Sequence, residues 1–236
     1  TNHMGFKEHD VKLRTATVLL FALLAVMGTT SATTLTFNFT NSSPSAVWTS
    51  GPVSVTVTAY SLLQINGAQF QTATLGQYSG GLGVTNPADD SYPANQHTVD
   101  NADGRTDFIL MQFSTPVDPT QLSINQFNTD SDLDYWTGNI PASLVGLTLS
   151  SLSGFNSGSD NTSGSRMVSL TSGAANALLV AADVNGGCND FFKIAGLTVD
   201  YTTPPPSRVP EPATYATMGA ALLGLGAATA RRRKDS

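Results

Sequence analysis

The stretch from Asn128 to Trp136, Asn-Thr-Asp-Ser-Asp-Leu-Asp-Tyr-Trp, sets three carboxylates at alternate positions: Asp130, Asp132 and Asp134. In an extended strand alternate residues share a face, so these three would stand roughly 7 Å apart and repel one another unless a cation or water lies between them. Calcium takes six to eight oxygen ligands and suits such a set. A second acidic loop carries Asp100, Asn101, Asp103 and Asp107, and follows a segment with Asn86, Asp89 and Asp90. Neither loop fits the EF-hand register. The glycine expected after the third acid is Tyr135 and no Glu closes the loop; Asp100–Gly104 also fails that register. Solvated turns are the competing reading, because a short Asp carboxylate bonds nearby backbone N–H groups.

Tyr135 and Trp136 follow the alternating acids directly. They could stack on a sugar whose hydroxyls bond the carboxylates, directly or through calcium. The alternative is that Trp136 anchors a core. Enzymatic machinery is sparse. His97 is the one histidine between the two chain ends, no Gly-x-Ser-x-Gly elbow is present, and 158–165 is a polar loop rather than a motif. Paired Asp residues could serve a glycosidase only at a separation that sequence does not give. The expectation is a protein that is not an enzyme.

These residues need strands to position them. Thr34–Phe39 and Val53–Tyr60 alternate apolar and polar, and Phe108–Phe113 is continuously apolar, as a central strand would be. Further strands are expected at 68–75, 121–127, 144–150, 166–170, 177–182 and 193–201, with 174–182 as a possible helical turn. Gly, Asn, Asp and Ser clusters separate them. The expected fold class is all-β: an antiparallel, jelly-roll-like sandwich over 33–201.

Composition agrees with an exported β-rich chain. Only 12% of the 236 residues are charged, and Gly and Pro number 21 and 12. Residues 33–207 hold 13 Asp, no Glu, and three bases (Arg105, Arg166, Lys193), a balance of −13 + 3 = −10. An acidic domain without a basic stripe excludes nucleic acid as a partner. The lone Cys188 can form neither an internal disulfide nor a Cys-based zinc site; it reads as a small buried turn residue, or as a thiol able to pair between chains.

Both ends are directed at a membrane. Lys7, Lys12 and Arg14 precede an apolar run, 16–27, and small residues lead to a cleavage position after Ala32. That is the layout of a signal peptide over 1–32. At the other end, 202–208 is a Pro-rich spacer suited to polyproline II. Residues 213–230 carry no charge and, as a helix, would span roughly 27 Å, just enough for a bilayer core. Arg231, Arg232, Arg233 and Lys234 follow and hold that end in the cytoplasm. The span is weakly apolar, with Ala220, Gly224 and Ala228 at a spacing that favours close helix packing.

Val209-Pro210-Glu211-Pro212, the short span and the basic tail together resemble the PEP-CTERM sorting signal (209–236). The resemblance implies recognition and cleavage by exosortase, a Gram-negative host, transit through the inner membrane, and delivery to the cell surface or exopolysaccharide matrix. The prolines keep the signal extended, as a protease-like site requires. Residues 79–139 are similar to ectodomains of exosortase-dependent surface proteins, a β-rich family that supplies no catalytic residues. The expected role is structural or adhesive, in biofilm or floc. The alternative is a calcium-dependent domain that binds or degrades polysaccharide.

Overall fold

A computed structural model describes residues 31–40, 46–87, 97–203 and 217–222. The chain divides into two units, Ser31–Thr203 and a second made of Thr1–Thr30 with Pro204–Ser236. In the second unit the described residues, 217–222, are helical. Among the described residues no helix is long and apolar enough to cross a membrane. The rest of the expected 213–230 span, the signal peptide before Ser31, and Val209, Pro210, Glu211, Pro212, Arg231, Arg232 and Arg233 lie outside the described residues.

The first unit is built of antiparallel strands. In chain order they are β1 (Ala32–Asn38), β2 (Val47–Ser50), β3 (Val53–Leu63), β4 (Gln71–Thr72), β5 (Thr74–Tyr78), β6 (Gly81–Thr85), β7 (Val99–Asp100), β8 (Arg105–Gln126), β9 (Leu133–Gly138), β10 (Asn156–Asp160), β11 (Arg166–Ser169), β12 (Ala175–Ala182) and β13 (Phe191–Thr202). The alternative of a helical turn over 174–182 gives way to β12, whose residues pair on both sides.

The organising element is β8, a strand of 22 residues. Its first half pairs with β3 on one side and β12 on the other. Its second half pairs with β13 and β11. The change of partners falls at Ser114–Pro119, where Pro116 and Pro119 lack the N–H a ladder needs. Register shifts accompany it, between Ala175 and Ala177 of β12 and between Thr198 and Val199 of β13. The expected strands at 108–113 and 121–127 are therefore the two halves of one strand.

Side-chain alternation sorts the core into two clusters. Ile109, Met111 and Phe113 join Val53, Val55 and Val57 of β3, Leu178 and Val180 of β12, and Leu122, Ile124, Ile194, Leu197 and Val199 from the other strand group. Phe108 and Leu110 point the opposite way, into a second cluster with Tyr60, Phe70, Trp136, Leu144 and Leu152. Burial on both faces explains why 108–113 is apolar without interruption. The second cluster is covered by a segment expected to be a strand, 144–150. It is instead an irregular cover ending in a 3-10 turn at Leu149–Leu152. It is tied down by Phe70 N–H to Leu147 O at 2.8 Å and Gly146 N–H to Phe70 O at 3.2 Å. All residues of both clusters lie between Leu35 and Val199, so this unit carries its own core.

Candidate cation site

The start of β13 pairs with β7, Phe191 opposite Asp100. This brings the loop before β13 against the loop before β9. Asp130 and Asp190 form a parallel bridge, in which Phe191 N–H donates to Asp130 O at 3.0 Å. The backbone N–H of Asp132 donates to Asp190 Oδ1 at 3.0 Å. Carboxylate oxygens of Asp130, Asp132 and Asp190 lie within 4.8 Å of one another.

Each carboxylate is held differently. Asp190, 1% exposed, also accepts Asn101 Nδ2 at 2.6 Å and returns its N–H to Asn101 Oδ1 at 3.1 Å. Asp130 Oδ1 accepts Ser163 Oγ at 2.5 Å and Ser131 N–H at 2.8 Å. Asp132 Oδ1 is buried and has no hydrogen-bond partner among the described residues. The nearest base is already engaged: Arg166 pairs with Asp160 at 2.7 Å and donates to Ser131 Oγ and O at 2.7 and 3.1 Å.

The electrostatics follow from this packing. Burial pushes the Asp190 carboxyl up to about 6, with Asp132 and Asp130 adding repulsion against the hydrogen bonds from Asp132 N–H and Asn101. Burial also raises Asp132, again with repulsion from Asp130 and from Asp183. Asp130 moves down, chiefly through the Ser163 hydroxyl and the Ser131 N–H. Three converging carboxylates, one with a bare buried oxygen, are the donor set a hard divalent cation takes; calcium would draw its remaining ligands from carbonyls and water.

The expected ligand set is thus corrected. Asp130 and Asp132 come together, but on the loop before β9, while Asp134 lies inside the strand. Asp134 Oδ2 accepts Val184 N–H at 2.9 Å, and burial raises its carboxyl. Asp100 is buried and occupied by Thr98 Oγ1 at 2.9 Å and Ala102 N–H at 3.1 Å. Asp107 accepts Asn86 Nδ2 at 3.0 Å. Asp103 and Gly104 hold φ of 53° and 75° in a turn closed by Arg105 N–H to Ala102 O at 3.0 Å. That is the chemistry of an Asp-Gly turn. Asp100, Asp103, Asp107 and Asp134 thus lie outside the cluster of Asp130, Asp132 and Asp190. Asp190, which the sequence reading did not include, lies 58 residues from Asp132, a separation that local spacing does not carry.

The aromatic pair is corrected as well. Tyr135 and Trp136 are 5% and 8% exposed, which leaves no ring face open for a sugar. The Tyr135 ring sits under Gly158, where a Cβ would collide with it, and its hydroxyl accepts Thr171 N–H at 2.9 Å. Trp136 packs on Phe108, centroids 6.1 Å apart. Cys188 is exposed rather than buried, with its thiol 3.6 Å from Gln64 Oε1. His97 meets the Thr85 hydroxyl at 2.6 Å and stacks on Tyr78. Ala32, the expected cleavage position, is the first residue of β1 and lies opposite Thr202.

Residues 208–234 match the family model of the PEP-CTERM protein-sorting motif. No curated protein and no solved structure matches the chain. The motif implies recognition by exosortase and export through the membrane to the cell surface. What the match shows is that the chain carries a PEP-CTERM protein-sorting motif at 208–234.

Proposed function

We propose that the protein is a non-enzymatic, surface-retained component of an extracellular polysaccharide matrix, with a structural or adhesive role in biofilm or floc. The observation that carries this reading is the sorting motif at 208–234, which implies export for the β-rich unit beside it. In this reading the two strand groups joined by β8 are a jelly-roll-like sandwich. Residues 1–32 act as a signal peptide, and 213–230 as a transient inner-membrane helix.

The cluster of Asp130, Asp132 and Asp190 favours a calcium-dependent form of the same role. Extracellular modules bind calcium at about 10⁻⁴–10⁻³ M. A cation there would tie the loops before β9 and β13 together and neutralise three carboxylates that otherwise repel. Isothermal calorimetry of the chain with calcium tests this. One saturable site, lost in Asp132→Asn, supports the calcium-bound form. Titration heat equal to buffer dilution would leave an unstapled structural protein.

A further inference from the structure

β10 ends a run of paired strands, β10-β9-β12-β8. Among the described residues its backbone bonds only to β9, and no strand lies on its other side. None of its five side chains is buried, so the strand itself adds nothing to either core cluster. It is nevertheless pinned along its length. Phe155, just before it, packs on the second cluster. In the middle the Tyr135 ring fills the space under Gly158, as an aromatic neighbour does for a glycine at a sheet edge. At the end Asp160 pairs with Arg166 at 2.7 Å, and Arg166 also donates to Ser131 O at 3.1 Å. What the fold holds in place here is a row of backbone N–H and C=O groups facing outward.

Proteins ordinarily blunt such an edge with Lys, Pro, a bulge or an inward-pointing charge. β10 has no Lys and no Pro, and its five pairs with β9 run without a register shift. Its one charge, Asp160, is neutralised by Arg166. The charge distribution says what the edge can meet. Residues 33–207 sum to −10, yet 137–182 hold only Asp160 and Arg166, which cancel. Copies of so acidic a unit repel one another, and least where β10 lies. Asp134, opposite Ser159 on β9, stands one strand further in. Across a joint between two β10 strands, two such carboxylates would be three strand spacings, about 14 Å, apart, beyond the ~8 Å screening length at physiological salt. β11 starts at the same corner, with Arg166, and leaves Met167 61% exposed.

We propose that β10 is an assembly edge that pairs antiparallel with β10 of a second copy, about a two-fold axis at Gly158. The joint is self-complementary, as a two-fold contact must be. Asn156 of each copy faces Asp160 of the other, and Ser157 faces Ser159, so no like charges stand opposite one another. The run β10-β9-β12-β8 then continues as one sheet through both copies. Because the edge is already ordered, pairing costs little further conformational entropy. Five residue pairs fall short of the roughly 800 Å² per partner of a standard interface, so the association is weak and depends on protein concentration. The pairing is read from β10 alone and goes beyond the matrix reading.

The test uses the full chain in mild detergent. Sedimentation up to roughly 1 mM protein should show a monomer–dimer equilibrium. Ser157→Lys with Ser159→Lys, both at exposed positions, sets like charges across the joint and should raise the dissociation constant about tenfold or more, with Tm unchanged. The register is checked separately in a Cys188→Ser background. Ser157 of one copy and Ser159 of the other would have Cα atoms about 4.5–5.5 Å apart, within disulfide reach. Oxidising a Ser157→Cys chain mixed with a Ser159→Cys chain should therefore give several-fold more cross-linked dimer than mixing either with a Val145→Cys chain, altered on the exposed cover. A monomer at every concentration, a dimer that the two lysines leave unchanged, or cross-linking no greater than the control would overturn the proposal. None of these results bears on the sorting motif or on the cation cluster, which are tested by other means.

Discussion

Ala32 and Thr202 are direct partners across the ladder that joins the first strand to the last. The first and last strands of the unit are therefore neighbours along the whole of β1. β1 also feeds the main cluster through Leu35 and Phe37, with Phe39 just beyond it. Phe37→Ala removes a buried ring and should cost about 3–5 kcal/mol, read as a lower denaturant midpoint. A loss below about 1 kcal/mol would mean that β1 is not an integral strand.

Calcium should stabilise the unit. A site of about 10⁻⁴ M affinity at roughly 1 mM calcium adds about 1.4 kcal/mol. For a unit of this size that is a rise of about 3–6 °C in Tm. Asp132→Asn should abolish the rise. Asp134→Asn and Asp103→Asn should retain it, because Asp134 bonds Val184 N–H and Asp103 occupies a turn. A rise that disappears with Asp134→Asn and survives Asp132→Asn would move the site elsewhere.

Stability should depend on pH in a particular direction when calcium is chelated. The Asp190 carboxyl is raised from 3.8 to about 6 in the folded chain, so the folded state holds this proton more tightly than the unfolded one. Its stabilising contribution is complete below the unfolded value and is lost as pH rises through about 6. Asp132 shifts in the same direction. The chelated protein should melt higher at pH 5 than at pH 7, and calcium at pH 7 should restore the difference. A chelated protein whose Tm increases from pH 5 to pH 7 would contradict this.

The irregular cover is as much core as the strands are. Leu144 is fully buried beneath it, with Ile140 and Leu152. Leu144→Ala should cost about 2–5 kcal/mol, and hydrogen exchange should speed up at Gly146 and Leu147, whose N–H groups bond within the cover and to Phe70. Unchanged stability would mean that the segment is a dispensable loop.

The all-β class and the places of β1, β3, β12 and β13 were legible because period-two alternation records one buried face. Elsewhere the same signal misled. Leu147 and Leu149 alternate like strand residues but pack a cover onto a face that is already a sheet. The separate strands expected at 108–113 and 121–127 are one, and Pro116 and Pro119 mark where it changes partners. The acidic alternation drew attention to Asp130, Asp132 and Asp134, yet the strand begins at Leu133, so the first two acids are loop residues free to meet Asp190. The meeting of Asp190 with Asp130 depends on a bridge between distant loops, which local spacing does not carry.

The sorting assignment is tested most directly by intact-mass spectrometry of the protein recovered from the surface or matrix of cells that produce it. The mature chain should begin near Thr33 and lack the basic tail Arg231–Lys234. Recovery of the full-length chain from the cytosol, folded and with both ends intact, would contradict it.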